Sequence, residues 1–200
     1  MPASGTPQAR PNVGAALLII DMISTWDFPD ADKLLPPAQA LGPRLAALKA
    51  RCRSAGWAIV YANDNQGRWR SDFRQLVDLS SDPRAPGAEL TRLLRPHEDD
   101  YFVLKPKHSA FFCTPLELLL QRLKVRRLVL TGVASDQCIV STAMDARMRE
   151  YEVCVPRDGV ATQSEVRNAR AVQHLAEALK VDTAALSELQ WLTPSNPPQQ

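Results

Sequence analysis

Apolar residues along this chain fall into short continuous runs that alternate with longer amphipathic segments. Five of the runs predict β-strands, at 14–21, 57–64, 101–105, 125–133 and 152–158. A weaker run at 181–186 predicts a sixth strand. The amphipathic segments predict helices, at about 37–55, 115–123, 136–150 and 164–180. Because the strands are apolar throughout, we expect a Rossmann-like three-layer α/β/α fold with a mostly parallel sheet of about six strands.

The two ends of the chain differ in composition from its middle. Residues 1–12 predict a frayed N-terminal arm and residues 191–200 a frayed C-terminal tail, since both are rich in polar residues and proline. Residues 13–190 then form a single domain. The irregular stretch 63–100, with room for short helices near 71–79 and 87–94, predicts a lid or an oligomer contact rather than a second domain.

Composition and charge narrow the classes of partner. The 24 basic and 22 acidic residues are spread along the chain without a basic stripe, so nucleic acid is not an expected partner. We find no signal peptide and no apolar run long enough to span a bilayer, and the four cysteines form no CxxC pair. We therefore expect a cytoplasmic protein whose partner is a small molecule or another protein. Its three scattered histidines predict neither a metal site nor a cofactor.

Three polar residues follow three of the predicted strands. Asp21 ends the first strand, Lys105 ends the third, and Cys138 comes shortly after the fourth. Ligands of parallel sheets bind at the carboxyl ends of the strands, so an acid, a cation and a thiol at one edge predict a catalytic site. Each residue also has a plain interpretation: Asp21 as a turn cap, Lys105 as a surface lysine, and Cys138 as a buried packing residue.

Cys138 lies in LTGVASDQC (130–138), where a predicted strand ends and a predicted helix begins. The free N–H groups and the dipole of a helix N-terminus favour an anion. We therefore expect the Cys138 thiol to be shifted toward the thiolate, which is the nucleophilic form.

Three motifs together resemble a known family. ALLIIDM, VLKPKHSAFFCTPLELLL and LVLTGVASDQCIVSTAMDA are similar, in order and spacing, to the motifs of the isochorismatase-like cysteine hydrolases, which include nicotinamidases and carbamoylsarcosine amidases. The resemblance covers roughly residues 14–186. It implies an amidohydrolase without a cofactor that forms a homodimer or homotetramer.

The resemblance also implies a role for each matched residue. Asp21 is the general base, Lys105 the electrostatic member and Cys138 the nucleophile, with Lys107 as the alternative lysine. A cis peptide bond joins Val133 to Ala134. The backbone N–H groups of Ala134 and Cys138 form the oxyanion hole.

Departures from the family pattern bear on the substrate. The segment NDNQGRWRSDF (63–73) lacks the histidines that hold a metal in nicotinamidases, so we expect no metal. Isochorismatases proper lack the cysteine, so Cys138 favours acyl chemistry on an amide, carbamoyl or ureido group.

Several residues near the expected pocket are candidates for substrate binding. If Arg68 and Arg70 face the pocket, they can clamp a substrate carboxylate beside an apolar wall from Trp69, although salt bridges or subunit contacts are the stronger interpretation for this segment. The remaining candidates follow the strand ends: Trp26, Phe28, Asn63, Asp64 and His108.

The sequence therefore favours a cysteine hydrolase that cleaves a small C–N bond through a thioester on Cys138. Three alternatives stay open: an isochorismatase-type hydrolase of another small substrate, a non-catalytic member of the fold, and a thiol redox sensor that pairs Cys138 with Cys113.

Overall fold

The computed structural model describes residues 14–65, 67, 69 and 72–189. The arm at 1–12, the tail at 191–200, and Arg68 and Arg70 lie outside the described residues. The strands are β1 (Ala15–Ile20), β2 (Ala58–Asp64), β3 (Tyr101–Lys105), β4 (Arg127–Val133), β5 (Glu152–Cys154) and β6 (Val160–Ala161). The helices are α1 (Ala31–Ser54), α2 (Phe73–Ser81), α3 (Ala88–Leu93), α4 (Leu116–Arg122), α5 (Val140–Met148) and α6 (Glu165–Glu177).

The strands form one sheet in the order β3-β2-β1-β4-β5, and β6 also pairs with β4. The strand pairings are parallel. The expected three-layer α/β/α architecture with a six-stranded sheet is therefore confirmed. Because the strands run in one direction, the residues that follow β1, β3 and β4 emerge at the same edge.

The core lies on both faces of the sheet. In the central strand β1 all six residues are buried, which explains why this strand is apolar throughout. Leu17 and Ile19 pack toward α1, α2 and α3. Leu18 and Ile20 pack toward α4, α5 and α6. Among the described residues, no helix is both long and apolar enough to cross a membrane.

Helix α1 begins six residues earlier than predicted. The helix was predicted from about 37, yet α1 begins at Ala31 and has Pro36 and Pro37 inside it, where proline is normally disfavoured. The helix extends past them because Leu34, one turn before the buried Ala38, packs into the core on the same helical face.

The last two strands also differ from the prediction. β5 ends at Cys154 rather than 158, because Pro156 has no N–H to donate to a sheet ladder. The sixth strand is Val160–Ala161, which pairs with Gly132 and Val133. In the segment 181–186, where a strand was predicted, Asp182 forms an isolated bridge with Cys154.

Gly132 allows β4 to lie close to β1 where both strands end. Its φ of 110° is one that L side chains rarely adopt, and a Cβ there would lie 2.1 Å from the carbonyl oxygen of Ile20. Any other residue would separate the two strands immediately before the segment that carries Cys138.

We predict that Gly132→Ala lowers the free energy of unfolding by at least about 3 kcal/mol, measured by urea denaturation. Gly42→Ala, within α1, is the matched control. Its Cβ would meet the flexible end of Leu90 rather than backbone, so a loss below about 1 kcal/mol is expected there. Equal effects of the two substitutions would contradict this account of Gly132.

Candidate active site

The structure brings Asp21, Lys105 and Cys138 together at the carboxyl edge of the sheet. Lys105 Nζ lies 2.8 Å from Asp21 Oδ2 and 3.3 Å from Cys138 Sγ. The sheet order explains the convergence, because β1 and β2 lie between β3 and β4 and the Lys105 side chain extends across the strand ends. Residues 21, 105 and 138 are distant in sequence, yet one ammonium group contacts both partners.

Lys105 is not a surface lysine. Its side chain is fully buried, and Nζ also donates to the carbonyl oxygen of Lys107 at 3.4 Å and lies 4.0 Å from Asp64 Oδ2. Lys107, the alternative lysine, is exposed. The ammonium group of Lys105 is thus surrounded by the groups that compensate its burial.

Asp21 is held in place by β2. Its backbone N–H donates to the carbonyl oxygen of Ala62 at 3.0 Å, and its Oδ1 accepts the N–H of Asp64 at 2.8 Å. Oδ2 then faces Lys105. These contacts join the Asp21 carboxylate to β2 and to Lys105 of β3, whereas a turn cap would bond to the backbone that follows Asp21.

Cys138 lies in one turn of π-helix, Ser135–Ile139, that leads from β4 into α5. The Val133–Ala134 peptide bond before this turn is cis, as the family resemblance implied. Asp136 holds the turn against the following elements: it accepts from Thr162 Oγ1 at 2.7 Å and from Arg167 Nε at 2.8 Å.

A pocket of about 550 Å³ opens at this edge of the sheet. Asp21, Cys138 and the backbone-donor candidate Ala134 line it, and so do four of the predicted substrate-binding residues: Trp26, Phe28, Asp64 and His108. Lys105 is buried, and its ammonium group contacts Asp21 and Cys138, which both line the pocket. One part of the wall is apolar and is formed by Ile23, Trp26, Phe28, Pro29, Leu34 and Val133. The pocket therefore combines a reactive polar group with an apolar wall, as small-molecule sites do.

Two other predicted substrate-binding residues, Asn63 and Trp69, are not among the residues that line this pocket. Asn63 is buried, and its Nδ2 donates to the carbonyl oxygen of Ile23 at 2.8 Å, so it ties β2 to the loop after β1. Trp69 is 78% exposed and is not among the residues that line the pocket.

Sequence reasoning missed several pocket residues. Gln137, Ser24 and Asp27 neighbour predicted residues, and adjacency to the motifs was the available signal. Leu34 comes from the start of α1, which precedes the predicted helix start at about 37, so no predicted element included it.

Comparison with known proteins places the fold and motifs in one family. The model of the isochorismatase domain matches residues 15–185. The chain belongs to the isochorismatase family. It is 36% identical over 164 residues to the uncharacterized isochorismatase family protein YaaI of Bacillus subtilis, covering 82% of this chain and 90% of that one.

Two further relatives carry different names. A probable inactive nicotinamidase of Arabidopsis thaliana is 33% identical, covering 73% of this chain and 80% of that one. A streptothricin hydrolase of Streptomyces noursei is 33% identical, covering 74% of this chain and 54% of that one. A solved isochorismatase family protein of Desulfovibrio vulgaris superposes with a TM-score of 0.73 at 25% identity, covering 90% of this chain and 98% of that one.

Among residues 14–65, 67, 69 and 72–189, no group of three or more His, Cys, Asp or Glu is placed to hold a metal ion. Asp64 ends β2, and the segment 63–73 contains no histidine.

All four cysteines of this isochorismatase-family chain are free thiols. Cys113, the predicted redox partner of Cys138, is exposed, whereas Cys138 is buried. Cys52 and Cys154 are also buried, as expected of packing residues.

The protonation of the site differs from the sequence-based expectation. Burial raises the pKa of the Cys138 thiol, and the nearby Asp21 carboxylate raises it further, while Lys105 partly opposes both. The expected shift toward the thiolate is therefore wrong for this resting site, because desolvation and a carboxylate outweigh the lysine. Burial would lower the pKa of Lys105, but attraction to Asp21 and Cys138 raises it, so this residue stays an ammonium ion.

We predict that Cys138 reacts slowly with methyl methanethiolsulfonate at neutral pH, and that its rate rises about tenfold per pH unit up to pH about 9, because only the thiolate reacts and the pKa is raised. Peptide mass mapping measures the rate, and the exposed Cys113 in the same sample is the internal reference. A Cys138 rate that levels off below pH about 8 would indicate a lowered pKa and would contradict this assignment.

Proposed function

We propose that this protein is a cysteine hydrolase that cleaves the C–N bond of a small amide, carbamoyl or ureido substrate through a thioester on Cys138. The observation that carries the proposal is the contact of Cys138 Sγ with the buried Lys105 Nζ at 3.3 Å, beside Asp21 and at a pocket of about 550 Å³. A pocket of this size accommodates a small molecule. The streptothricin hydrolase among its relatives supports hydrolytic chemistry on this fold.

The raised pKa of Cys138 assigns a role to Asp21. A protonated thiol is a weak nucleophile, so a base must take its proton as the sulfur attacks the substrate carbonyl. We assign this step to Asp21, because its carboxylate interacts directly with the thiol. The proton then passes from Asp21 to the leaving nitrogen, which departs as a neutral amine or ammonia.

Lys105 stabilises the negative charge before and after this proton transfer. Its ammonium group lies between the carboxylate and the sulfur, so negative charge is stabilised whichever of the two carries it. The site's low exposure strengthens the effect, because charges interact more strongly where water is excluded. Lys105 therefore acts as a fixed counter-ion and does not itself transfer a proton.

The carbonyl oxygen becomes negatively charged during attack and needs donors. Ala134 and Cys138, which both line the pocket, are the residues whose backbone N–H groups we assign to this oxyanion. Collapse of the tetrahedral intermediate breaks the C–N bond and leaves the acyl group on sulfur. Water then hydrolyses the thioester and restores the thiol.

A non-catalytic member of the fold is the second candidate, favoured by the relative named as a probable inactive nicotinamidase. In this chain an acid, a cation and a thiol lie within contact of one another, which favours the hydrolase. Turnover of a substrate and its dependence on Cys138 distinguish the two candidates.

We predict ammonia release from at least one member of a panel of primary amides, carbamoyl compounds and hydantoin-derived ureides. Cys138→Ala and Asp21→Asn should each lower kcat/KM by roughly 1000-fold or more, because each removes a group required for attack. Cys113→Ala, which removes an exposed thiol, is the matched control and should retain wild-type activity.

Activity that survives Cys138→Ala with unchanged kcat/KM would overturn the thioester mechanism. A wild-type protein that turns over no compound, and whose Cys138 is not labelled by an acylating reagent, would support the non-catalytic candidate instead.

A further inference from the structure

His108 lines the pocket and has no role in the mechanism proposed so far. Its Nδ1 lies 3.6 Å from Cys138 Sγ, and the residue lines the pocket. His108 is exposed, whereas Lys105 is fully buried, so the imidazole approaches the sulfur from the side that solvent reaches. The sulfur therefore has a third polar neighbour besides Lys105 and Asp21.

The position of His108 is fixed from both sides along the chain. On one side, the carbonyl oxygen of Lys107 accepts from Lys105 Nζ at 3.4 Å. On the other side, the Ser109 hydroxyl donates to the Asp145 carboxylate, and the N–H of Ala110 donates to Thr142 Oγ1 at 3.0 Å. Asp145 and Thr142 belong to α5, the helix that continues directly from the turn with Cys138. His108 and Cys138 are thus held against the same helix.

Hydrolysis of the thioester requires a base on the side of the pocket from which water enters. The attacking water needs a base, and it enters from the open side of the pocket. Asp21 accepts the N–H of Asp64 with Oδ1, faces the buried Lys105 with Oδ2 and interacts with the Cys138 thiol, so its contacts are directed toward the strand ends. His108 is on the open side and within reach of the sulfur that must leave.

We propose that His108 is a second catalytic residue, which activates the water that hydrolyses the Cys138 thioester and then returns a proton to the sulfur; the proposal rests on the function proposed above. As the water oxygen bonds to the thioester carbonyl carbon, Nδ1 takes one water proton and the carbonyl electron pair moves onto oxygen. The tetrahedral intermediate then re-forms its C=O bond and breaks the C–S bond. The sulfur keeps the electron pair of that bond and receives the proton from Nδ1.

These steps balance in atoms and charge without another reactant. Water and the thioester become a carboxylic or carbamic acid and a free thiol, and the imidazole gives back the proton that it took. General-base assistance of this kind accelerates a step by about 100-fold or more. The division of labour assigns Asp21 to formation of the thioester and His108 to its hydrolysis.

The experiment isolates the second half of the reaction with p-nitrophenyl acetate, which acylates a cysteine without needing a proton on its leaving group. In His108→Gln we expect a rapid burst of nitrophenolate followed by steady turnover slowed by about 100-fold, since acylation proceeds and hydrolysis stalls. Mass spectrometry should find the acetyl group accumulated on Cys138. Hydroxylamine, which attacks a thioester without a base, should restore turnover.

His174→Gln is the matched control, because it makes the same substitution at an exposed histidine of α6. It should behave as wild type in both phases.

Three results would overturn the role of His108. One is a steady rate in His108→Gln within roughly twofold of wild type without acetyl accumulation. Another is a burst slowed as much as the steady phase, which would show that His108 acts in substrate binding or in formation of the thioester. The third is a failure of hydroxylamine to restore turnover, which indicates structural damage. The proposed function itself fails differently: wild-type protein then acquires no acetyl group on Cys138 and Cys138→Ala retains full activity.

Discussion

The site depends on one buried ammonium group. Lys105 has no exposed surface, and a charge in such a place is tolerated only if it is paired and hydrogen bonded. Asp21 supplies the opposite charge at 2.8 Å, and Cys138 and the carbonyl oxygen of Lys107 are further neighbours. These contacts form only when β1, β3 and the turn after β4 lie in fixed register. Pairing of the buried charge therefore stabilises the alignment of the sheet on which it depends.

The same interaction explains how a thiol with a raised pKa is still suited to be a nucleophile. In the resting site the negative charge lies on Asp21, and the sulfur keeps its proton. Moving that proton from sulfur to carboxylate leaves the total charge beside Lys105 unchanged. The lysine therefore favours neither state strongly, and in the mechanism that we propose the proton transfer accompanies attack on the substrate instead of preceding it. A resting thiol is also less easily oxidised than a thiolate.

The architecture and the three central residues were accessible from sequence for a physical reason. Continuous apolar runs identify strands buried on both faces, and parallel strands necessarily end at one edge, so Asp21, Lys105 and Cys138 could be assigned to a common site. The substrate-binding residues were harder to assign. Asn63 ends a strand as Asp64 does, but it faces the backbone of Ile23 instead of the pocket, and alternation along a strand that is apolar on both faces leaves no signal for this difference.

Protonation states and short elements were beyond sequence reasoning for different reasons. The pKa of the Cys138 thiol depends on desolvation and on two neighbouring charges, and this environment exists only in the folded protein. The two-residue strand β6 is too short to show periodicity, and its pairing with Gly132 and Val133 is a tertiary contact. Leu34 was missed because it precedes the predicted helix start at about 37, so no predicted element included it.

The most direct test of the account is a double-mutant cycle on the buried pair, with urea unfolding of wild type, Lys105→Met, Asp21→Asn and the double variant. Breaking a buried pair by removing one partner costs about 3–5 kcal/mol, because the other charge stays buried and unpaired. We therefore predict that Lys105→Met and Asp21→Asn are each strongly destabilising, and that the double variant loses much less than the sum of the two. Strictly additive losses would show that the two groups do not interact and would contradict the central role of Lys105.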